Sequence, residues 1–183
     1  MVIFGAGGIG LNLIQGALLA GAMDIIAVDL FDNRLELASS VGATAVINAK
    51  NCNAFAKINE ILDGQRPDVF LDNTGNPEII TKGYDLVHSE GRVVLVGVPA
   101  VGSLTSLSTL GLHFGKTLTG TTGGETDPTA DIPRYMGLFA KRGVSLSTLI
   151  TEVAPLTAVN RLMQSMRNGR TAGRCLIDLK AVL

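Results

Sequence analysis

The sequence predicts an α/β fold of the Rossmann type, a doubly wound parallel sheet with helices on both faces. Short apolar runs alternate with amphipathic stretches, which is the pattern of βαβ units around a parallel sheet. A glycine-rich segment, Gly5-Ala6-Gly7-Gly8-Ile9-Gly10, joins the first apolar run to the first amphipathic stretch. Charged residues make up only 17% of the chain and glycines number 22. This composition suits strands that are buried on both faces and joined by tight connections.

The elements follow from this alternation. A first strand, Val2–Phe4, precedes the glycine-rich turn, and a helix over Ile9–Ala20 has its apolar residues at helical spacing. Asp32 or Asn33 is placed to cap the second helix, with Glu36 in capping-box register to Asn33. The further elements predicted in this part are a strand Ile25–Asp29, a helix Arg34–Val41, a strand Ala45–Asn48, a helix Phe55–Leu62, a strand Asp68–Asp72, a helix Pro77–Leu86, and strands Arg92–Val96 and Thr117–Gly120.

The rhythm of the chain changes after Gly120. A polar, glycine-rich stretch covers residues 121–131. Four more predicted elements follow it: a helix Ile132–Lys141, a strand Leu149–Thr151, a helix Ala158–Asn168 and a strand Arg174–Leu179. We therefore divide the chain near Thr122 into a dinucleotide-binding domain over residues 1–122 and a C-terminal segment over residues 123–183. The first strand is shorter than the roughly 5–6 residues of a typical strand. We expect the sequence to be a piece of a longer protein.

Charge and composition exclude several classes of protein. Fifteen Lys and Arg residues balance 16 Asp and Glu residues, and the net charge of −1 gives no basic footprint for nucleic acid. No apolar run approaches the ~20 residues of a membrane-spanning helix, and the first residues do not resemble a signal peptide. The two cysteines, Cys52 and Cys175, belong to no paired motif, so they predict neither a disulfide framework nor a zinc knuckle. We expect a cytoplasmic protein.

The glycine-rich segment fits the pattern G-x-G-x-x-G between a strand and a helix, as in a dinucleotide-binding site. Gly5 permits the tight turn, Gly7 lets the backbone approach a pyrophosphate, and Gly10 lets the helix pack closely on the strand. The N–H groups at the helix N-terminus would face the phosphates. Glycine-rich turns also arise for purely structural reasons, so the pattern alone does not decide between the two interpretations.

Asp29 adds a second condition, because it ends the second strand 19 positions beyond Gly10. A carboxylate there can accept both ribose hydroxyls of an adenosine. It would repel a 2′-phosphate by ~1–4 kcal/mol at ~4 Å, which favours NAD over NADP about tenfold or more. The alternative interpretation of Asp29 is a strand-end residue facing water.

Several stretches together resemble a known family. They are Val2–Gly10, Ala27–Asp29, Arg34–Ala38, Val41–Thr44, Asp68–Val69, Asn73–Glu78, Gly91–Pro99, Leu149–Thr151 and Asn168–Arg170. In order and spacing they resemble the cofactor domain and closing segment of zinc-dependent, medium-chain alcohol dehydrogenases. The resemblance covers essentially the whole chain.

The resemblance implies a role for individual residues around NAD. These are Gly5, Gly7, Gly8, Ile9 and Gly10 at the pyrophosphate; Asp29 at the adenosine ribose with Arg34 beside it; Thr74 and Gly75 at the adenosine half; Val96, Gly97 and Val98 at the nicotinamide; Thr121 and Thr122 near its carboxamide; and Arg174 reaching the pyrophosphate from the closing segment. Each has a structural alternative: Arg34 and Arg174 can be solvated surface residues, and Val96–Val98 are strand residues in either case.

Zinc is implied for the intact parent, but no metal site is assigned to this chain. In the family, the zinc ligands and the proton relay lie largely in a barrel domain before the glycine motif. A catalytic zinc needs about three protein ligands, and the candidates here are not in ligand spacing. His88 is interpreted as structural at a helix end, His113 as a packing or subunit contact, Cys52 as a loop or helix-start thiol and Cys175 as a strand residue.

The predicted function is the NAD-binding portion of a zinc-dependent alcohol or polyol dehydrogenase, whose intact parent would transfer hydride between an alcohol and NAD. We assign no catalytic residue and expect the chain to be inactive alone. The identity of the alcohol stays open. Two alternatives are a stand-alone dinucleotide-binding or sensing module and a zinc-independent quinone or enoyl reductase relative, although Asp29 argues against the latter. The resemblance also implies self-association, because in the family the sheets of two subunits join edge to edge near the sixth strand, and Leu104–Leu118 contains the apolar residues that such a contact would need.

Overall fold

The computed structural model describes residues 1–180, and its main feature is a six-stranded parallel sheet. Its strands are β1 Val2–Phe4, β2 Ile26–Asp29, β3 Ala45–Asn48, β4 Val69–Asp72, β5 Arg92–Leu95 and β6 Thr117–Gly120. They lie in the order β3-β2-β1-β4-β5-β6, and every pairing is parallel. The chain reverses its direction of progress across the sheet between β1 and β4, and open α/β sheets bind ligands outside the carboxyl ends of the strands at such a point.

Helices cover the sheet, and a small second sheet follows. The helices are α1 Gly8–Leu19, α2 Asp32–Ser40, α3 Ala54–Ile61, α4 Pro77–Leu86, α5 Pro128–Arg142 and α6 Val159–Arg167. Short 3₁₀ helices occupy Thr109–Phe114, Gly123–Glu125, Ser147–Leu149 and Leu156–Ala158. The second sheet pairs β7 Ile150–Pro155 with β8 Arg174–Asp178 in parallel. None of the helices in residues 1–180 has both the length and the apolar character needed to cross a membrane.

The core lies on both faces of the six-stranded sheet, because successive side chains of a strand point to opposite faces. Phe4 of β1 belongs to a cluster with residues of α3 and α4, and its ring lies 5.3 Å from that of Phe70. Ile3 belongs to a second cluster with residues of α1 and α2. Leu149, from the C-terminal segment, is buried in this second cluster and joins that segment to the sheet domain.

The predicted elements are present, but β7 runs to Pro155 instead of ending at Thr151 as predicted, and two helix starts are shifted by two or more residues. Helix α2 begins at Asp32 rather than Arg34, and its N-cap is Phe31 without any side-chain cap, so the predicted capping by Asp32 or Asn33 is wrong. Helix α5 begins at Pro128, four residues before the predicted start, because the Asp127 carboxylate accepts the N–H of Thr129 at 2.9 Å. Proline is favourable at that first helical position.

Candidate functional site

The glycine-rich turn connects β1 to α1 and leaves open space on one side. Gly5 has φ = +94°, a conformation that favours glycine, and its N–H donates to the Val28 carbonyl at 2.8 Å. A Cβ at Gly10 would lie directly against the Gly5 carbonyl oxygen, so the helix packs on the turn without room for a side chain. A Cβ at Gly7 would meet no atom within 4 Å. The turn is therefore tightly packed at Gly10 and open at Gly7, in its middle.

Asp29 ends β2 with a buried carboxylate that holds two backbone segments. Its Oδ2 accepts the N–H of Ala6 at 2.8 Å, and its Oδ1 accepts those of Leu30 at 2.7 Å and Phe31 at 3.2 Å. Its side chain is only 5% exposed, so the interpretation as a strand-end residue facing water is wrong. The Arg34 guanidinium lies 3.5 Å from Oδ1, so the two residues are side by side, as the resemblance implied.

Asp72 plays a corresponding structural role at the end of β4. This fully buried carboxylate accepts the N–H and the hydroxyl of Thr74 at 3.1 and 2.6 Å, and the N–H of Gly75 at 2.9 Å. A Cβ at Gly75 would lie 2.6 Å from the Val98 carbonyl oxygen, and one at Gly97 would lie 2.5 Å from the Gly75 backbone nitrogen. The connections after β4 and β5 are thus in direct backbone contact.

A cavity of about 390 Å³ lies between these segments. It brings together five predicted site residues, namely Gly5, Gly7, Asp29, Arg34 and Thr74. The other predicted residues are outside its lining: Gly8, Ile9, Gly10, Gly75, Val96, Gly97, Val98, Thr121, Thr122 and Arg174. Val98 is 90% exposed, and Thr121 and Thr122 are exposed after the neighbouring strand β6. A larger groove of about 620 Å³, lined by residues of α3 and α4, contains none of the predicted residues.

Arg174 brings a positive charge from β8 to the start of α1. A Cβ at Gly8 would lie 2.5 Å from Cζ of the Arg174 guanidinium, which therefore lies directly over this glycine. The N-terminus of a helix and a guanidinium both favour an anion. Together they give the start of α1 a positive character that suits an anion.

Several residues at this site were not predicted as site residues. The cavity is also lined by Phe31, Asn73 and Asn76, and the Asn73 side chain donates to the Gly5 carbonyl at 3.3 Å. Phe31 has the Arg34 and Lys50 cations 4.8 and 4.1 Å from its ring centroid. Asn73 could have been predicted, because it directly follows the carboxyl end of β4, where ligands bind in such sheets. Phe31 could not, because its contact with Gly169 joins residues that are far apart in the sequence.

The comparisons with known proteins establish the family. The family model described as zinc-binding dehydrogenase matches residues 8–141 of the 183. The chain belongs to the zinc-binding dehydrogenase family. The predicted family and the predicted Rossmann fold are confirmed.

Among relatives of this zinc-binding dehydrogenase chain, the NDMA-dependent alcohol dehydrogenase of Amycolatopsis methanolica is 35% identical over 173 residues, which cover 92% of this chain and 46% of the relative. Alcohol dehydrogenase 1 of Cenchrus americanus is 32% identical over a match that covers 98% of this chain and 48% of that relative. The crystal structure of benzyl alcohol dehydrogenase from Acinetobacter calcoaceticus is 34% identical with a TM-score of 0.86, covering 97% of this chain and 49% of that one. The chain spans about half the length of these relatives.

The part of this zinc-binding dehydrogenase chain that the structure describes does not fit a zinc ion. Within residues 1–180, no three His, Cys, Asp or Glu side chains are placed to hold a metal together. His88 lies two residues after the end of α4. Its Nε2 is hydrogen-bonded to the Asp68 carboxylate at 3.2 Å, and its Nδ1 accepts the Glu90 N–H at 3.1 Å. Cys52 is exposed, whereas burial raises the pKa of the half-buried Cys175 thiol. His113 is exposed in the 3₁₀ helix Thr109–Phe114.

Proposed function

We propose that this chain is the NAD-binding portion of an alcohol or polyol dehydrogenase of the zinc-dependent type. The observation that carries the proposal is the cavity at the carboxyl ends of β1, β2 and β4, where the open middle of the glycine turn meets Asp29 and Thr74. Ligands bind at this edge of doubly wound sheets. The names of the relatives, which are alcohol dehydrogenases, support the activity of the intact protein.

The pyrophosphate of NAD fits at the start of α1. Gly7 leaves room for its approach, and the first N–H groups of a helix have no intrahelical partner and can donate to its oxygens. Gly8, Ile9 and Gly10 belong to this first turn, and Arg174 beside Gly8 adds a full positive charge.

The adenosine ribose would lie against Asp29 and Arg34. A carboxylate has about four acceptor sites, and three backbone N–H groups already bond that of Asp29. The remaining capacity is available to a ribose hydroxyl, and Arg34 offers a second polar contact. Thr74 and Gly75 border the adenosine half of this proposed site.

The nicotinamide would lie beyond β4, where Val96, Gly97 and Val98 follow β5 and where Thr121 and Thr122 follow β6. When bound, NAD supplies the carbon that accepts or returns a hydride. The protein's contribution here is to hold the ring at the sheet edge. Residues 123–183 would return toward a catalytic domain that carries the zinc and the proton relay. We therefore propose that the 183 residues bind NAD but oxidise no alcohol alone.

Titration of the purified chain with NADH and NADPH, followed by nicotinamide fluorescence, tests this proposal. We expect saturable NADH binding and a dissociation constant for NADPH about tenfold higher or more, because Asp29 repels a 2′-phosphate. Failure of both dinucleotides to bind would reject the cofactor site. An alcohol-oxidation assay on the same sample tests the expected inactivity, and measurable turnover would contradict it.

Self-association through the sheet edge is a separate part of the proposal. Strand β6 is the last strand of the six-stranded sheet, and an exposed edge strand is a template for pairing. Leu104, Leu110 and Phe114, in the segment before β6, are 65–89% exposed. Sedimentation velocity over a range of concentrations measures the oligomeric state; a strictly monomeric chain would contradict this part. A cytoplasmic location stays a prediction of the sequence.

A further inference from the structure

The C-terminal turn, which we define as Gly169–Gly173 between α6 and β8, contacts the wall of the candidate cavity. Gly169 has φ = +68°, and a Cβ on it would lie directly against the Phe31 ring. Its carbonyl oxygen accepts the Asn33 side chain at 3.4 Å. This turn comes from the part of the chain that the sequence placed outside the dinucleotide-binding domain, yet it packs on residues just after β2.

Phe31 is the residue through which this contact reaches the cavity. Its ring lines the cavity, and its N–H donates to the Asp29 carboxylate at 3.2 Å. The Arg34 and Lys50 cations lie within 5 Å of the ring centroid. The ring therefore lies between the C-terminal turn and the cavity, and the Arg34 and Lys50 side chains also contact it.

Arg34 makes a second connection from the same turn. Its Nε donates to the Thr171 carbonyl at 3.4 Å, while its Nη1 lies 3.5 Å from Asp29 Oδ1. One guanidinium thus joins the C-terminal turn to the carboxylate proposed to hold the ribose. Two cavity residues, Phe31 and Arg34, are held by one short turn.

We propose that Gly169 is a positioning residue for the adenosine end of the cofactor site, acting through Phe31. The inference rests on the proposed function. Because Gly169 has no side chain, the Phe31 ring can lie against the turn and leave the cavity open. A methyl group at position 169 displaces the ring away from the turn, and the cavity lies on that side. The affinity for the adenosine half then falls even though residue 169 does not itself line the cavity.

Gly169→Ala, compared with Gly143→Ala, tests this role. Gly143 has φ = +66° and a Cβ on it would meet no atom within 4 Å, so both substitutions place alanine in the same strained conformation while only one meets a ring. The readouts are the dissociation constants of NADH and of ADP, which lacks the nicotinamide, at a temperature where circular dichroism shows both variants folded. We expect Gly169→Ala to raise the dissociation constants of both ligands about fivefold, the factor that corresponds to the ~1 kcal/mol of an aromatic contact. We expect Gly143→Ala to bind both ligands as the parent chain does.

A double-mutant cycle with Phe31→Ala then tests whether Gly169 acts through the ring. In the Phe31→Ala background, the addition of Gly169→Ala should leave the ADP dissociation constant unchanged. Equal losses in the two glycine variants, or a full Gly169→Ala effect without the ring, would overturn the inference. If Gly169→Ala does not fold, Phe31→Leu removes the ring without backbone strain, and unchanged ADP affinity in that variant would overturn it as well. If the unsubstituted chain binds NADH and these tests fail, only this inference is refuted. If the unsubstituted chain does not bind NADH, the proposed function is refuted.

Discussion

Replacing Asp29 by alanine should destabilise the fold as well as remove a proposed cofactor contact. The carboxylate accepts the N–H groups of Ala6, Leu30 and Phe31, and its side chain is 5% exposed, so water has little access to replace it. The bond from Ala6 is buried, and its N–H left without a partner costs ~1–3 kcal/mol; the part-buried bonds from Leu30 and Phe31 contribute ~0.5–1.5 kcal/mol each, which gives roughly 2–6 kcal/mol in total. This is a large fraction of the ~5–15 kcal/mol by which a domain is stable.

Asp29→Asn separates the contributions. The amide oxygen can still accept from Leu30 and Phe31, whereas its NH₂ group cannot accept the Ala6 N–H, so the expected loss is about 1–2 kcal/mol. The assay is urea unfolding followed by circular dichroism at 25 °C. Asp24→Ala serves as the control: its side chain is exposed, and such a substitution changes stability by ~0.5 kcal/mol or less.

The expected order of stability is the parent chain, then Asp29→Asn, then Asp29→Ala. An alanine variant within ~1 kcal/mol of the parent would refute the argument that buried N–H groups depend on this carboxylate. So would an asparagine variant as unstable as the alanine variant. NADH binding by either variant is informative only at temperatures where that variant is folded.

Three further predictions concern other parts of the chain. Gly10→Ala should lower the midpoint of thermal unfolding by several degrees, because its Cβ meets the backbone of the preceding turn. At pH 8, iodoacetamide should modify the exposed Cys52 before Cys175, whose thiol pKa is raised by burial and by a nearby carboxylate so that less thiolate forms; peptide mass spectrometry measures the order. Lys82→Ala should return the pKa of Glu78 upward to its ordinary value, since a hydrogen bond from this lysine lowers it; an NMR titration checks the shift.

The secondary structure could be predicted because its signals are local. Helix α4 begins at Pro77 and ends at Leu86 as predicted, since the Asn76 side chain caps it and proline occupies its first position. The start of α5 was misplaced because Pro133 resembles a helix start, whereas it lies inside a helix that Asp127 already caps. Helix α2 begins two residues before its predicted start because the Phe31 carbonyl accepts the N–H groups of Arg34 and Leu35, while Phe31 offers no side-chain cap that a sequence pattern could identify.

The candidate site was predictable only in part. The glycine turn and Asp29 were identified from their spacing, since the G-x-G-x-x-G geometry depends on residues close in sequence. The burial of Asp29 could not be predicted in this way, because it depends on the N–H of Ala6, which lies in the turn after β1. The packing of Phe31 on Gly169 joins residues at opposite ends of the chain, and no periodicity encodes such a pair.

The central claim is that the open middle of the glycine turn receives the pyrophosphate of NAD, and NADH titration of Gly7→Ala tests it most directly. A Cβ at Gly7 meets no atom of the protein within 4 Å, and its φ of −71° suits alanine, so the fold should be preserved. Gly16→Ala on α1, where a Cβ also meets nothing, is the matched control. We predict that Gly7→Ala raises the NADH dissociation constant about tenfold or more, equivalent to ~1.4 kcal/mol, while Gly16→Ala binds as the parent chain does. Parent-like NADH affinity in a folded Gly7→Ala variant would contradict the account.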